Sequence, residues 1–280
     1  MTSEETELTF PIRSNKLSQN VLVTRSLCHL ETKFQTIDIL ETEVFGRVLL
    51  LDGHIQLTEF DERAYHEGLV QIPLLSLPGA TRALVIGGGD GGVIRELCRS
   101  KTITHVDMVE IDEGVVKASL EHLPSLSAGA FDDPRVHLHL EDAFAWVKKQ
   151  SEPYDLIVVD STDTYEDEEG EISEMLFTEN FYQDLSRLLK PDGIVVTQAD
   201  NLVFCPYSLE DISALFRKVF PHVASYQALV PSFGGYSGYC YASKGKVLSP
   251  AVDAAEFGAR DLAYLNPTTY ALAFTHLTFS

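Results

Sequence analysis

The sequence predicts an α/β protein in which a doubly wound, mostly parallel sheet follows a small N-terminal antiparallel β domain. From residue 82 onward, strand-like and helix-like segments alternate, which is typical of a parallel sheet flanked by helices. The segments LIVVD (156–160) and GIVVT (193–197) are continuously apolar, as expected of strands covered on both faces. We therefore expect a β domain at 1–75 and an α/β domain at 76–280.

The N-terminal domain is expected to consist of short strands. Apolar and β-branched residues occupy near-alternate positions, and turn residues at Gly46 and Asp52–Gly53 separate the segments, which indicates hairpins. A helical pattern with acidic residues in its first turn follows at 61–77 and ends before Pro78–Gly79. The expected strands lie at 21–27, 34–43, 47–53 and 55–60.

The α/β domain is expected to contain five buried strands and a terminal antiparallel pair. A helical pattern follows each buried strand, so strands and helices alternate as they do in repeated strand-helix-strand units. The five strands lie at 82–89, 105–112, 135–142, 154–161 and 193–200, the helices at 92–100, 113–123, 143–150, 181–190 and 208–220, and the pair at 223–231 and 238–245.

Charge restricts the classes of partner. The chain has 42 acidic and 21 basic residues, a formal net charge of −21. Such a surface repels nucleic acid and anionic membranes and attracts small cations, so we expect neither nucleic-acid nor membrane partners. Apolar runs stay well short of the roughly 20 residues that cross a bilayer, and segment 1–10 is acidic where a targeting peptide is basic. We expect a cytoplasmic location.

The cysteines do not have the spacing of a zinc site. They are isolated in the sequence, and disulfides are rare inside cells, so we expect buried, reduced thiols and no metal. They are Cys28, Cys98, Cys205 and Cys240.

A glycine-rich loop follows the first strand of the α/β domain. The segment GGGDGG (87–92) joins a strand to a helix, where Gly87 and Gly89 let backbone approach a nucleotide-like ligand. Glu110 ends the next strand, about 20 residues further on, where an acid binds ribose hydroxyls. The carboxylate of Asp90 disfavours a pyrophosphate or a ligand carboxylate and favours a cation such as decarboxylated S-adenosylmethionine. A helix N-cap would explain Asp90 equally well.

Two further acidic segments end later strands. Asp142 lies at the end of the strand at 135–142, where a carboxylate can accept a hydrogen bond from an adenine amino group. In DSTD, Asp160 lies at the carboxyl end of the strand at 154–161 and Asp163 lies just beyond it, where such sheets place their chemistry. One carboxylate could take a proton from an alkylamine, whose pKa is near 10.4, and the other could bind the far end of a diamine. Alone, the tetrapeptide would be a solvated turn.

The assembled motifs resemble the polyamine aminopropyltransferases, the spermidine synthase family, over about residues 30–240 and again near the C-terminus. The resemblance implies a methyltransferase-like, Rossmann-like catalytic domain, a homodimer or homotetramer, and no tightly bound cofactor. It rests on GGGDGG (87–92), VEID (109–112), DSTD (160–163), YHE (65–67), VTQAD (196–200) and LNPTTYALAF (265–274).

The resemblance also implies roles for individual residues. Asp160 would be the catalytic base, Tyr65 would orient the attacking nitrogen, and Asp163 would bind the acceptor amine. On the donor, decarboxylated S-adenosylmethionine, Asp90 would hold the ammonium, Glu110 the ribose and Asp142 the adenine. The remaining predicted contacts are Gln35 and His66 with the sulfonium ligand, and Gln198 and Phe233 with the acceptor.

This sequence departs from the family pattern around the acceptor. The segment 164–175 is longer than the usual gating loop and contains six acids, and Pro231–Ser232–Phe233 replaces a Pro-Thr-Tyr motif, which removes a hydroxyl. The single tryptophan is Trp146, and an aromatic from the N-terminal segment is not evident.

Aminopropyl transfer to putrescine, which gives spermidine and methylthioadenosine, is the leading interpretation of the sequence. Spermidine, agmatine and cadaverine remain alternative acceptors. A different enzyme class, an S-adenosylmethionine-dependent amine N-methyltransferase, has the same fold, but Asp90 argues against it. A polyamine-sensing protein without catalysis is the alternative from outside enzymology.

Overall fold

The N-terminal sheet has five antiparallel strands in sequential order. A computed structural model describes residues 6–13, 16–161 and 178–275. Each strand pairs with the next one along the chain, and the last hairpin turns at Asp52–Gly53, where both residues have positive φ angles. The sheet confirms the predicted β domain. Its strands are β1 (Thr6–Arg13), β2 (Leu17–Glu31), β3 (Thr36–Thr42), β4 (Gly46–Leu51) and β5 (His54–Thr58).

The second sheet has seven strands in the order β11-β12-β10-β9-β6-β7-β8. The pairs from β10 to β8 are parallel, and β12 and β11 add the predicted antiparallel pair at one edge. The chain moves outward from β6 in both directions, so a ligand crevice is expected beside β6. The strands are β6 (Arg82–Gly87), β7 (His105–Glu110), β8 (Val136–Leu140), β9 (Tyr154–Asp160), β10 (Leu189–Asn201), β11 (His222–Val230) and β12 (Gly235–Ser243).

Helices cover both faces of this sheet. Side chains of Asp112, Asp142 and Thr178 accept hydrogen bonds from the first backbone N–H groups of three of them, which fixes where these helices begin. Within the described ranges, none of the helices is long and apolar enough to span a membrane. They are α1 (Glu62–Leu75), α2 (Gly92–Cys98), α3 (Glu113–His122), α4 (Pro124–Ser127), α5 (Ala143–Lys149), α6 (Glu179–Leu188), α7 (Pro206–Val219), α8 (Ala254–Gly258) and α9 (Pro267–Ala273).

Strand residues alternate between two apolar layers. Val85 packs in the layer that contains α1 and α2, whereas Leu84 packs in the layer that contains α5, α6 and α7. Because both faces are covered, the central strands are apolar at nearly every position, as their sequences predict. Helix α1 packs with the seven-stranded sheet, through residues such as Leu69, although it lies before residue 75. The division of the chain at residue 75 stays a prediction.

The thiols are less uniformly buried than predicted. Cys205 and Cys240 are buried, but Cys28 and Cys98 are only half-buried. Cys28 lies in β2, much of which is exposed, and Cys98 ends α2 where that helix reaches the surface.

The glycine loop is held against the end of β9. Gly87 lies opposite Asp160 in the parallel register, and the Gly88 N–H donates to the Asp160 carbonyl oxygen at 2.9 Å. Gly87 has a φ of +79°, and a Cβ there would overlap the same carbonyl oxygen. Only glycine satisfies both requirements without strain.

Substitution of Gly87 by alanine tests this contact. We expect Gly87→Ala to lower the free energy of unfolding by about 2–5 kcal/mol. A non-glycine residue in the left-handed region costs about 1–2 kcal/mol, and overpacking of the added Cβ costs about 1–3 kcal/mol. The matched control is Gly129→Ala, where φ is +83° and nothing lies within 4 Å of the added Cβ, so only the backbone cost applies. Equal losses in denaturant unfolding at one protein concentration would contradict the steric argument.

Candidate active site

A cavity of about 380 Å³ lies at the carboxyl ends of β6, β7 and β9. Its walls come from the glycine loop, the strand ends, the N-terminal sheet and the β11–β12 pair. The structure therefore brings together residues that are far apart in the sequence. The predicted site residues that line the cavity are Gln35, Tyr65, Gly87, Gly89, Asp90, Glu110, Asp142, Asp160, Gln198 and Phe233.

Two predicted site residues are not in that lining. His66 is 1% exposed and lies behind the cavity wall. Asp163 lies outside the described residues, as does the acidic segment 164–175. Trp146 is buried in the layer of α5, beside His139, away from the cavity.

Asp160 has the geometry of a general base. The Tyr65 hydroxyl donates to Asp160 Oδ1 at 2.5 Å, which fixes the carboxylate at the end of β9. Burial and the nearby Asp90 carboxylate raise the pKa of Asp160 to about 6, against the opposing effects of His66 and Tyr65. A carboxylate with this pKa is ionised at neutral pH and is more basic than an ordinary aspartate.

Asp90 faces the cavity and accepts a hydrogen bond from the start of a helix. Its Oδ1 accepts from the Gly92 N–H at 2.6 Å, at the start of α2, and lies 3.3 Å from His66 Nε2. Both contacts use Oδ1, so Oδ2 is the oxygen that can accept from a ligand. The N-cap of α2 is Gly91, so the interpretation of Asp90 as a helix N-cap is wrong. The bond from the Gly92 N–H still leaves Asp90 Oδ2 available to a ligand.

His66 lies between two carboxylates. Its Nδ1 is 2.8 Å from Glu62 Oε2, one turn earlier in α1, and its Nε2 faces Asp90. Burial opposes protonation of the ring, but Asp90 and Glu62 outweigh it and raise the pKa of His66 to about 10. Glu62 was not predicted as a site residue, although its spacing of four residues from His66 on a helix was a usable signal.

One histidine and two aspartates lie close enough together to resemble the ligands of a metal site. Ligand atoms of His66, Asp90 and Asp160 all lie within 4.8 Å of one another. An imidazole that donates to a carboxylate from each nitrogen has no lone pair for a metal. Catalysis without a metal stays a prediction.

One end of the cavity contains Glu110 and Asp142. Glu110 Oε1 accepts from the Asp112 N–H at 2.8 Å, and burial raises the pKa of Glu110 to about 7. Its Oε2 lies beside Gly89, where a Cβ would come within 3.0 Å. Asp142 is exposed and accepts from the Phe144 N–H at 2.9 Å, at the start of α5.

The N-terminal sheet contributes Gln35 to the same end. Gln35 Nε2 donates to Asp112 Oδ2 at 3.0 Å, and the Thr32 hydroxyl donates to the same oxygen at 2.8 Å. Asp112 also caps α3 through Gly114. The turn between β2 and β3 is therefore attached to the α/β domain, which places Gln35 at the cavity.

The opposite end of the cavity contains Gln198 and Phe233. Gln198 Nε2 donates to the Ser161 carbonyl at 3.2 Å, and its Oε1 accepts from the Asp200 N–H at 3.0 Å. The Phe233 ring meets the Tyr65 ring edge-on, with centroids 5.7 Å apart. Phe233 therefore lacks a hydroxyl but still forms an aromatic wall.

Two features of this end of the cavity were not predicted from the sequence. Asp200 lines the cavity with a φ of +57°, and burial raises its pKa. Its position two residues after Gln198 in VTQAD was the available signal. Strand β1 supplies Pro11 and Ile12 to the wall, so the N-terminal segment contributes aliphatic rather than aromatic surface.

Comparisons with known proteins agree with this geometry. The spermine/spermidine synthase domain model matches residues 62–253, and the spermidine synthase tetramerisation domain model matches residues 10–59. A polyamine aminopropyltransferase from Alkaliphilus metalliredigens is 40% identical over 217 residues, 76% of this chain and 74% of the relative. One from Ruegeria sp. is 36% identical over 263 residues, 92% of this chain and 91% of the relative.

A solved structure gives the same result. A spermidine synthase crystallised in complex with the transition-state analogue AdoDATO superposes with a TM-score of 0.91 at 28% identity, covering 99% of this chain and 94% of that one. The predicted fold and the predicted family are both confirmed. The chain belongs to the spermine/spermidine synthase family and is a transferase of the polyamine aminopropyltransferase type.

Proposed function

We propose that this enzyme transfers the aminopropyl group of decarboxylated S-adenosylmethionine to putrescine, giving spermidine and methylthioadenosine. The observation that carries the proposal is the position of Asp160. Its carboxylate lies within 4.8 Å of that of Asp90, both line one cavity together with Asp200, and Tyr65 holds Asp160 in place. The likeness to a spermidine synthase solved with AdoDATO supports the donor, which acts as a co-substrate rather than a bound cofactor.

The donor is a cation and fits the acidic end of the cavity. Asp90 Oδ2 accepts from the ammonium of the aminopropyl group, Glu110 binds the ribose, and Asp142 binds the adenine amino group. Gln35, held by Asp112, contacts the sulfonium ligand from the N-terminal sheet. A carboxylated donor would place a second anion among these acids, which is unfavourable.

The chemistry is a direct displacement. An alkylamine arrives protonated because its pKa is near 10.4, and Asp160 takes the proton from the attacking nitrogen. The nitrogen lone pair forms a bond to the carbon next to the sulfonium, and the carbon–sulfur pair leaves with sulfur as a neutral thioether. Tyr65 orients the nitrogen through its bond to Asp160.

Putrescine is the proposed acceptor because a diamine has two ammonium groups. The described acceptor end offers two carboxylates, Asp160 and Asp200, one for each nitrogen. Gln198 supports Asp200, and Phe233 covers the methylene chain. Asp163 is a proposed additional contact for the acceptor amine.

We propose that the chain assembles as a homotetramer. The match of residues 10–59 to a tetramerisation domain supports this assembly. The large apolar side chains of Leu22, Val44 and Phe60, at or near this sheet, are exposed in the single chain. A homodimer is the alternative. The cytoplasmic location and the lack of nucleic-acid and membrane partners stay predictions from the sequence.

Removal of the proposed base should abolish most of the turnover. We expect Asp160→Asn to lower kcat by about 100-fold or more, because an amide cannot accept the proton. Methylthioadenosine release measures turnover, and calorimetry checks that the donor still binds. Asp192→Asn, at an exposed position near the start of β10, is the control and should keep full activity. Wild-type rates for Asp160→Asn would refute the assignment.

The pH dependence should follow the ionisation of Asp160. Its pKa of about 6 predicts that kcat/KM falls tenfold per pH unit below about pH 6, where the base becomes protonated. Tyr65→Phe removes a hydrogen bond that lowers this pKa, so the acidic limb should move to higher pH. A limb that stays in place in Tyr65→Phe would show that another group is titrating.

Product analysis tests the acceptor. With decarboxylated S-adenosylmethionine and an equimolar mixture of putrescine, spermidine, agmatine and cadaverine, we expect mass spectrometry to show spermidine as the main product. Spermine or thermospermine would point to spermidine as the acceptor. Methylated amines formed only with S-adenosylmethionine would identify an N-methyltransferase, and ligand binding without any product would identify a polyamine-binding protein.

A further inference from the structure

Four charged side chains form a continuous series that begins at Asp90 in the cavity wall and continues through three buried residues behind it. Asp90 contacts His66, His66 contacts Glu62, and both oxygens of Glu62 accept from Arg95, at 2.9 and 2.8 Å. His66, Glu62 and Arg95 are each less than 9% exposed. This series extends from the proposed donor site to the interior of the α/β domain.

The far end of the series is rigid. Arg95, in α2, also donates to Glu96 Oε1 at 2.9 Å and to the Leu126 carbonyl at 2.8 Å. Glu62 therefore cannot turn away from His66 without breaking a two-bond pair with Arg95, which is costly for buried ions. Glu62 does not line the cavity, so it acts on a ligand only through His66.

The charged groups around His66 are mostly negative. Glu62 faces it from α1, Asp90 from the glycine loop and Asp160 from the end of β9. The cation Arg95 reaches it only through Glu62, and Tyr65 presents its ring edge-on at 5.2 Å. An imidazole in these surroundings carries a proton on each nitrogen and a positive charge.

We propose that Glu62 is a positioning residue for aminopropyl transfer: it holds His66 as an imidazolium, which fixes Asp90 and keeps Asp160 ionised. The imidazolium occupies Asp90 Oδ1 and leaves Oδ2 for the ammonium of the donor. It also places a positive charge beside Asp160, which offsets burial and the charge of Asp90. This inference rests on the proposed function and assigns a role to a residue outside the ligand cavity.

Glu62→Gln tests the proposal, with Glu96→Gln as the matched control. Both carboxylates are buried partners of Arg95, but only Glu62 contacts His66. We expect Glu62→Gln to move the acidic limb of kcat/KM upward by about one to three pH units, the effect of losing an opposite charge at this distance. Activity at pH 7 should fall about twofold for a shift of one unit, about tenfold for two and about 100-fold for three, and should recover at higher pH. Glu96→Gln should leave the limb in place.

His66→Gln repeats the test should Glu62→Gln fail to fold. Glutamine keeps an N–H donor for Asp90 but has no charge, so the limb should again move upward. Equal limb shifts in Glu62→Gln and Glu96→Gln, or an unmoved limb in either Glu62→Gln or His66→Gln, would overturn the proposal.

The protonation of His66 can also be measured without turnover. Nitrogen-15 NMR of the full-length wild-type chain, assigned with His66→Gln, should show both ring nitrogens protonated from pH 6 to pH 8.5. Titration of His66 near its ordinary pKa of about 6.5 would overturn the proposal. This readout is independent of the substrate. If the wild type forms no methylthioadenosine with any amine, the proposed function fails while the NMR result still decides the charge of His66.

Discussion

The contact between the glycine loop and the end of β9 determines the geometry of the whole site. The Asp160 carbonyl accepts from the Gly88 N–H, and the missing side chain of Gly87 allows this approach. One peptide group thereby fixes the distance between the loop that carries Asp90 and the strand that carries Asp160. In the proposed reaction Asp90 holds the ammonium of the donor, and Asp160 takes a proton from the acceptor. The backbone, rather than flexible side chains, sets the separation of these two carboxylates.

Close carboxylates create an electrostatic problem that the fold must solve. Two anions near each other in a partly dry cavity raise each other's pKa, and a base that is protonated at neutral pH cannot accept a proton. The described structure supplies His66 as a compensating charge and uses Glu62 and Arg95 to keep it in place. The site therefore suits cationic ligands while its base stays ionised. The net charge of −21 has the same sign as this site and favours the approach of polyamines.

Local sequence patterns predicted the strands, the glycine loop and most of the cavity-lining acids. Apolar runs mark the strands, and the loop and the acids lie at the ends of those strands. The missed features depend on long-range contacts. Strand β1 contains Pro11 and pairs only along β2, so its alternation was too weak to recognise. Helix α8 is short and far from any motif, and helix α9 lies within LNPTTYALAF (265–274), a motif that supported the resemblance without predicting a helix. Glu62 and Arg95 are residue types that usually lie at the surface. Only the packing of α1 on α2 shows that these two side chains pair inside the protein.

The N-terminal sheet is part of the active site rather than an appendage to it. Its β2–β3 turn places Gln35 at the proposed donor end of the cavity through Asp112. Strand β1 places Ile12 at the proposed acceptor end, where Ile12 packs against Gly234. The same strands match a tetramerisation domain. In the proposed homotetramer, subunit contacts on these strands would stabilise the cavity wall at both ends of the ligand site. Ordering of the wall before ligands bind lowers the entropy that binding must overcome.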